Sequence, residues 1–133
     1  MPSSERAPID WVALRGWYEA SCEVLAIFDR CCTSARQLLT GGPAANLRQA
    51  ARLGSLVAEA DTWLVRYPCP HESNGSWVAS IARLFAVIGD VITGRRGHGV
   101  PDNAELRSMI LGACDSVGEF RGLVVRVGNA PPH

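Results

Sequence analysis

The sequence predicts an all-α protein, an antiparallel four-helix bundle, from two observations. Three segments dense in glycine and proline interrupt the 133 residues, at Gly41–Pro43, at Pro68–Pro70 and from Gly94 to Pro101. Between them, large apolar residues recur every three or four positions, which is the spacing of one face of an α-helix. The length fits a single domain, residues 1–133, with its own hydrophobic core. The expected helices cover roughly residues 10–40, 44–67, 76–93 and 102–127.

The first segment predicts the longest helix. Asp10 is a suitable N-cap, and apolar or small residues continue in one stripe from Trp11 to Leu39. Gly41 would end the helix, because glycine accepts the left-handed conformation common after a last turn. Thirty helical residues span about 45 Å, longer than the other helices. We therefore expect the first helix to be broken near Cys32.

The second and third segments predict core helices of ordinary length. Pro43 suits the first turn of a helix, and Pro68 stops it. The stretch Trp77–Ile92 has 12 apolar residues out of 16, but it contains Arg83 and Asp90. It is also shorter than the roughly 20 residues that a bilayer requires. We interpret it as a buried helix and expect no membrane partner.

The fourth segment begins with Asp102 and Glu105, which are spaced like a capping box. Its apolar stripe, from Leu106 to Val127, follows a seven-residue repeat. Three glycines inside this helix each cost up to about 1 kcal/mol relative to alanine. We expect close approach of a neighbouring helix to offset that cost. The three are Gly112, Gly118 and Gly122.

The balance of charges and the number of cysteines indicate which partners and which compartment to expect. Thirteen basic residues balance 13 acidic ones, and a general nucleic-acid surface normally shows excess positive charge. Nucleic acid is therefore not the partner we favour, and a nucleic-acid-associated regulator whose Arg95–Arg96 loop touches phosphates stays a third hypothesis. The five cysteines are odd in number and mostly fall in helical patterns, which favours reduced thiols. With no secretory signal visible before Ile9, these features predict a cytoplasmic protein.

Residues with catalytic or metal-binding chemistry are few. Cys69 with His71 or His98 and Glu72 is the one candidate set for nucleophilic catalysis. No known motif surrounds it, so we predict no enzyme and no cofactor. A structural zinc site normally shows paired ligands in two clusters, and no CxxC is present. A metal site becomes possible if the end of the first helix meets the loop after the second. Its ligands would be Cys31, Cys32, Cys69 and His71.

The function predicted from these features is protein–protein interaction or regulation without catalysis. Four tryptophans exceed what the core requires, and a cationic loop precedes the last helix. The partner is another protein or a second copy, bound through the heptad face of the fourth helix or the wide face of the first. The alternative is a small-ligand or metal-binding bundle that uses the cysteine–histidine set or the Arg95–Arg96 loop. The candidate partner-binding residues are Trp17, Trp63, Trp77, Arg95, Arg96 and His98.

Overall fold

The computed structural model describes residues 10–94 and 103–129, and both ranges are helical with short connections. No strand occurs within them, which confirms the all-α class. Five helices pack together where four were expected, because the first predicted helix is divided in two. They are α1 (Trp11–Ala20), α2 (Cys22–Gln37), α3 (Pro43–Arg66), α4 (Glu72–Thr93) and α5 (Asn103–Asn129).

The break in the first predicted helix lies at Ser21, and the prediction of a break near Cys32 was wrong. The Ser21 backbone N–H bonds the carbonyl oxygens of Trp17 and Tyr18, at 3.0 and 3.1 Å. Its buried hydroxyl also donates to the carbonyl oxygen of Trp17, at 2.8 Å. Serine hydroxyls bonded to a carbonyl four residues back tend to bend helices. The α2 helix continues through Cys32 without interruption.

Several helix ends follow the sequence signals. A carboxylate oxygen of Asp10 accepts a 3.0 Å hydrogen bond from the backbone N–H of Ala13, as expected of an N-cap. Gly94 ends α4 in the left-handed conformation, with φ of 74°. The α4 helix begins at Glu72, with His71 at the N-cap position, one turn before the predicted start at residue 76.

The five helices pack around one hydrophobic core. The α2 and α4 helices each pack against both α3 and α5, and α1 packs against α2 and α5. Within the described ranges the backbones of α3 and α5 do not approach each other closely. Phe28, Phe85 and Phe120 are fully buried, and the rings of Phe28 and Phe85 stack with centroids 6.3 Å apart. The heptad stripe of α5 is buried from Leu106 to Val124 and forms part of this core.

The α4 helix is long and apolar enough to cross a bilayer, judged by length and composition alone. In this structure one of its faces packs into the protein core, including Val78, Phe85 and Ile88. Gly89 lies on that face, where an added Cβ would sit 3.5 Å from the carbonyl oxygen of Ala50. An alanine Cβ at position 89 would therefore be in ordinary van der Waals contact with α3.

The glycines of α5 do not have the packing role predicted for them. A Cβ added at Gly112, Gly118 or Gly122 would meet no neighbouring atom within 4 Å, and all three residues are exposed. Close approach of a helix within this chain therefore does not account for their cost, and that expectation was wrong.

Candidate functional site

Aromatic rings gather around Trp17, where α1 meets α3 and α5. The Trp17 ring lies 5.6 Å from that of Trp63 and 6.2 Å from that of Phe120. Its indole Nε1 donates a 2.7 Å hydrogen bond to the backbone carbonyl of Tyr67. Trp17 and Trp63 are each only 5% exposed, so neither offers a surface to a partner in this structure. Trp77, which packs edge-on against Phe120, is half-buried.

The phenol of Tyr18 lies within this aromatic cluster. Desolvation by burial, with a smaller contribution from Cys69, raises its pKa to about 12. The phenol therefore stays neutral near pH 7 and is poorly matched to acid–base catalysis there. Its role in this structure is packing, against the rings of Trp17 and Phe120.

The four predicted metal ligands occupy different elements. Cys31 and Cys32 are buried on α2, whereas Cys69 and His71 belong to the connection between α3 and α4. The Cys69 thiol accepts a 3.4 Å hydrogen bond from the backbone N–H of His71. Over residues 10–94 and 103–129, no three His, Cys, Asp or Glu side chains are grouped so that they could hold a metal ion. The structure therefore does not bring the four predicted ligands into one site.

Two thiols from different helices, Cys32 of α2 and Cys114 of α5, line one cleft of about 440 Å³. Desolvation by burial, with smaller contributions from the nearby Cys114, raises the pKa of Cys32 to about 12. The sequence gives no local signal of this pair, because the two cysteines are 82 positions apart and come to one cleft only through the packing of α5 against α2.

A second cleft, of about 360 Å³, lies between α2 and α3. Glu23, Glu59 and Arg66 line it together with Trp63. The Trp63 indole Nε1 is buried without a hydrogen-bond partner, although a buried N–H normally has one. The cleft thus combines charged groups at its rim with an unpaired donor in its wall.

The solvent-facing side of α5 carries two large apolar side chains and two glycines, with the exposed carboxylate of Asp115 between Leu111 and Gly118. Leu111 and Val125 are 52% and 53% exposed. Gly118 lies midway between them, seven residues from each, so the three share one line along the helix. Gly122 is exposed on the same side, one turn from Gly118. We call these four residues the outer face of α5.

The remaining predicted site residues, Arg95, Arg96 and His98, lie outside the described residues, as does the capping residue Asp102. Partner binding by the cationic loop therefore stays a prediction.

Comparison with protein-family models, with curated proteins and with solved structures found no match for this chain. The clefts and the outer face of α5 are the features of this chain that bear on its function.

Proposed function

We propose that this chain is a small interaction or regulatory protein, without catalysis, that associates with a second copy of itself through the outer face of α5. The observation that carries this proposal is the exposure of Leu111 and Val125 on either side of Gly118. Apolar side chains flanking exposed glycines suit a surface that another helix covers.

The glycines support the proposal because their cost has no compensation within the chain. Each exposed glycine in a helix interior costs up to about 1 kcal/mol relative to alanine. Gly118 and Gly122 face open space, so alanine would fit at either position without a clash. Packing of a helix from another chain against both glycines would offset this cost. A backbone without Cβ atoms lets a neighbouring helix pack closely against it.

The order of residues on this face supports a second copy as the occupant. A two-fold contact places the same patch of both subunits together, so the patch must match itself. If two α5 helices cross antiparallel at Gly118, Leu111 of each copy lies opposite Val125 of the other. Glycine then meets glycine at the centre, and apolar side chains meet on both sides.

The proposed interface differs from the heptad face suggested by the sequence, because the heptad residues of α5 are buried in the protein's own core.

We also propose that α1 and α2 act as one bent helix in an antiparallel four-helix bundle. Support comes from the order of packing around the core, α2 to α3 to α4 to α5 and back to α2. The five-residue connection 67–71 between α3 and α4 also suits antiparallel neighbours.

We propose a cytoplasmic location, with a protein as the partner in place of a membrane or nucleic acid. All five thiols are free, as expected for a reducing compartment.

The alternative function, metal or small-ligand binding, has weaker support because its predicted cysteine and histidine ligands are divided between α2 and the α3–α4 connection. Elemental analysis that finds stoichiometric zinc or iron in the purified protein would favour that alternative.

Sedimentation equilibrium over a hundredfold range of protein concentration tests the proposed dimer. We expect a reversible monomer–dimer equilibrium that Leu111→Asp or Val125→Asp shifts to monomer, because a charge would be buried at the contact. Val65→Asp is the matched control, since Val65 is exposed to 83% on α3. A monomer at every concentration would contradict the proposal, and so would equal effects of the Val65 and Leu111 variants.

A further inference from the structure

Two thiols line the cleft between α2 and α5. Cys32 is buried at the cleft wall and Cys114 is half-buried. Cys114 lies near enough to Cys32 to contribute to the raised pKa of Cys32. They come from different helices, so a covalent bond between them would join α2 to α5. A disulfide in a folded protein requires that the two sulfurs reach bonding geometry and that an oxidant reaches one of them.

Charged groups around the cleft favour a reactive thiol. Arg36 and Arg121 line it together with one carboxylate, that of Asp29. Asp29 forms an ion pair with Arg121, which leaves the cleft with an excess of positive charge. Reactive cysteines typically lie in electropositive, partly exposed surroundings, and Cys114 meets both criteria.

We propose that Cys114 and Cys32 form an oxidative modification site, at which a hydroperoxide converts the thiol pair to a disulfide between α2 and α5. The Cys114 thiolate attacks the peroxide, so that an S–O bond forms and the O–O bond breaks. Cys114 becomes a sulfenic acid while the peroxide is reduced, with hydrogen peroxide yielding water once its hydroxide leaving group takes up a proton.

The second step uses the neighbouring thiol. Cys32 loses its proton and attacks the Cys114 sulfur, so that the S–S bond forms, the S–O bond breaks and hydroxide leaves and takes up that proton as water. Two thiols and one hydrogen peroxide thus give one disulfide and two waters. Reduction by a small thiol reverses the change, as expected for a switch in a reducing compartment.

Position decides which cysteine takes each role. Cys114 is the more accessible of the two, so it meets the peroxide first. Cys32 is held beside it and resolves the sulfenic acid. Cys31 precedes Cys32 on α2 but is fully buried, and its pKa is raised to about 12 by desolvation and by the nearby Glu59 and Cys114. We therefore expect Cys31 to remain a thiol under the same treatment.

Mass spectrometry of the native protein treated with hydrogen peroxide tests the site. We expect the intact mass to fall by about 2 Da, the loss of two hydrogens. Non-reducing trypsin digestion should then yield peptide 31–36 linked to peptide 108–121. Because peptide 31–36 contains both Cys31 and Cys32, the linked sulfur is identified in the Cys31→Ala variant, which should form the same product.

Matched variants separate the two steps. In Cys32→Ser, Cys114 should accumulate as a sulfenic acid that dimedone traps, and no linked peptide should form. In Cys114→Ser, the linked peptide should be absent, whereas Cys22→Ser should behave as the wild type because Cys22 is exposed on the same helix and lies outside the cleft.

Three outcomes would overturn the proposal: linkage through Cys31, loss of the product in Cys22→Ser, or oxidation of Cys114 to sulfinic acid while Cys32 stays free in the wild type. None of them depends on the oligomeric state. The oxidation result therefore does not depend on whether the proposed dimer forms.

Discussion

The indole Nε1 of Trp17 donates a 2.7 Å hydrogen bond to the backbone carbonyl of Tyr67, the residue that caps α3. The bond connects residues 50 positions apart and joins the last turn of α1 to the end of α3. It satisfies a buried donor and one of the carbonyls that a helix end leaves unpaired. A tryptophan predicted to face a partner is instead a structural link inside the protein.

Replacing tryptophan by phenylalanine at two positions should separate this hydrogen bond from packing. Trp17 and Trp63 are buried to the same extent, but only Trp17 has a partner for its N–H. We expect Trp17→Phe to lower the free energy of unfolding by about 1–2 kcal/mol more than Trp63→Phe. Urea denaturation of both variants measures the difference. Equal losses would mean that the bond contributes nothing.

Alanine substitutions should reveal the cost of the α5 glycines. At a protein concentration low enough to keep the chain monomeric, Gly118→Ala or Gly122→Ala should stabilise the fold by up to about 1 kcal/mol. The same variants should weaken dimer formation, because added Cβ atoms separate the two helices. Stabilisation without any loss of association would show that the glycines do not lie in an interface.

Gly41→Ala is the contrasting control for these substitutions. A Cβ at position 41 would lie 2.6 Å from the side-chain oxygen of Asn46 and 3.2 Å from the backbone carbonyl of Gln37. We expect this variant to be destabilised when it is measured by the same urea denaturation. A stabilised Gly41→Ala would contradict the local geometry.

Alkaline pH should destabilise the protein through buried acidic groups. Burial raises the pKa of Cys31 from 9.0 to about 12 and that of Tyr18 from 10.0 to about 12. The unfolded chain releases these protons at lower pH than the folded chain does, so the free energy of unfolding falls as pH rises. Stability should be fully retained below about pH 9 and decline towards pH 12.

The Cys31→Ala and Tyr18→Phe variants check the assignment of this pH effect. Each removes one buried acid, so each should flatten the decline in unfolding free energy above pH 9, measured in urea at stepped pH. A decline as steep as that of the wild type in both variants would place the responsible protons elsewhere.

Oxidation of the thiol pair should raise stability. A Cys32–Cys114 disulfide would close a loop of about 80 residues and add up to about 4 kcal/mol to the free energy of unfolding, mainly by restricting the unfolded chain. Thermal unfolding of the oxidised and reduced forms measures the change. A lower melting temperature in the oxidised form would indicate that the bond strains the contact between α2 and α5.

The sequence allowed the helices to be predicted because their signals are local. Asp10 as an N-cap and the heptad stripe from Leu106 were recognised from residues within a few turns, and both agree with the structure. The bend at Ser21 was missed because serine also occurs in continuous helices, and its hydroxyl decides the outcome only once it is buried.

The candidate sites were harder to predict, since they depend on packing between distant segments. Trp17 and Trp63 carry polar N–H groups at the edge of an apolar stripe, so sequence alone does not distinguish a buried ring from an exposed one. Cys32 and Cys114 line one cleft only because α5 packs against α2. Gly118 likewise could be recognised as exposed only once the structure showed which face of α5 is buried.

Disulfide crosslinking between copies tests the proposed α5 contact most directly. In a chain whose five native cysteines are replaced by alanine, and whose helical circular dichroism is unchanged, we would introduce Leu111→Cys or Val125→Cys and leave Gly118 intact at the crossing point. Antiparallel crossing at Gly118 places Leu111 of one copy opposite Val125 of the other, so a mixture of the two variants should form a covalent dimer. Neither variant should crosslink by itself, because its two copies would lie about 21 Å apart along the helices. Crosslinking of a single variant as efficient as that of the mixture, or none in the mixture, would contradict the account.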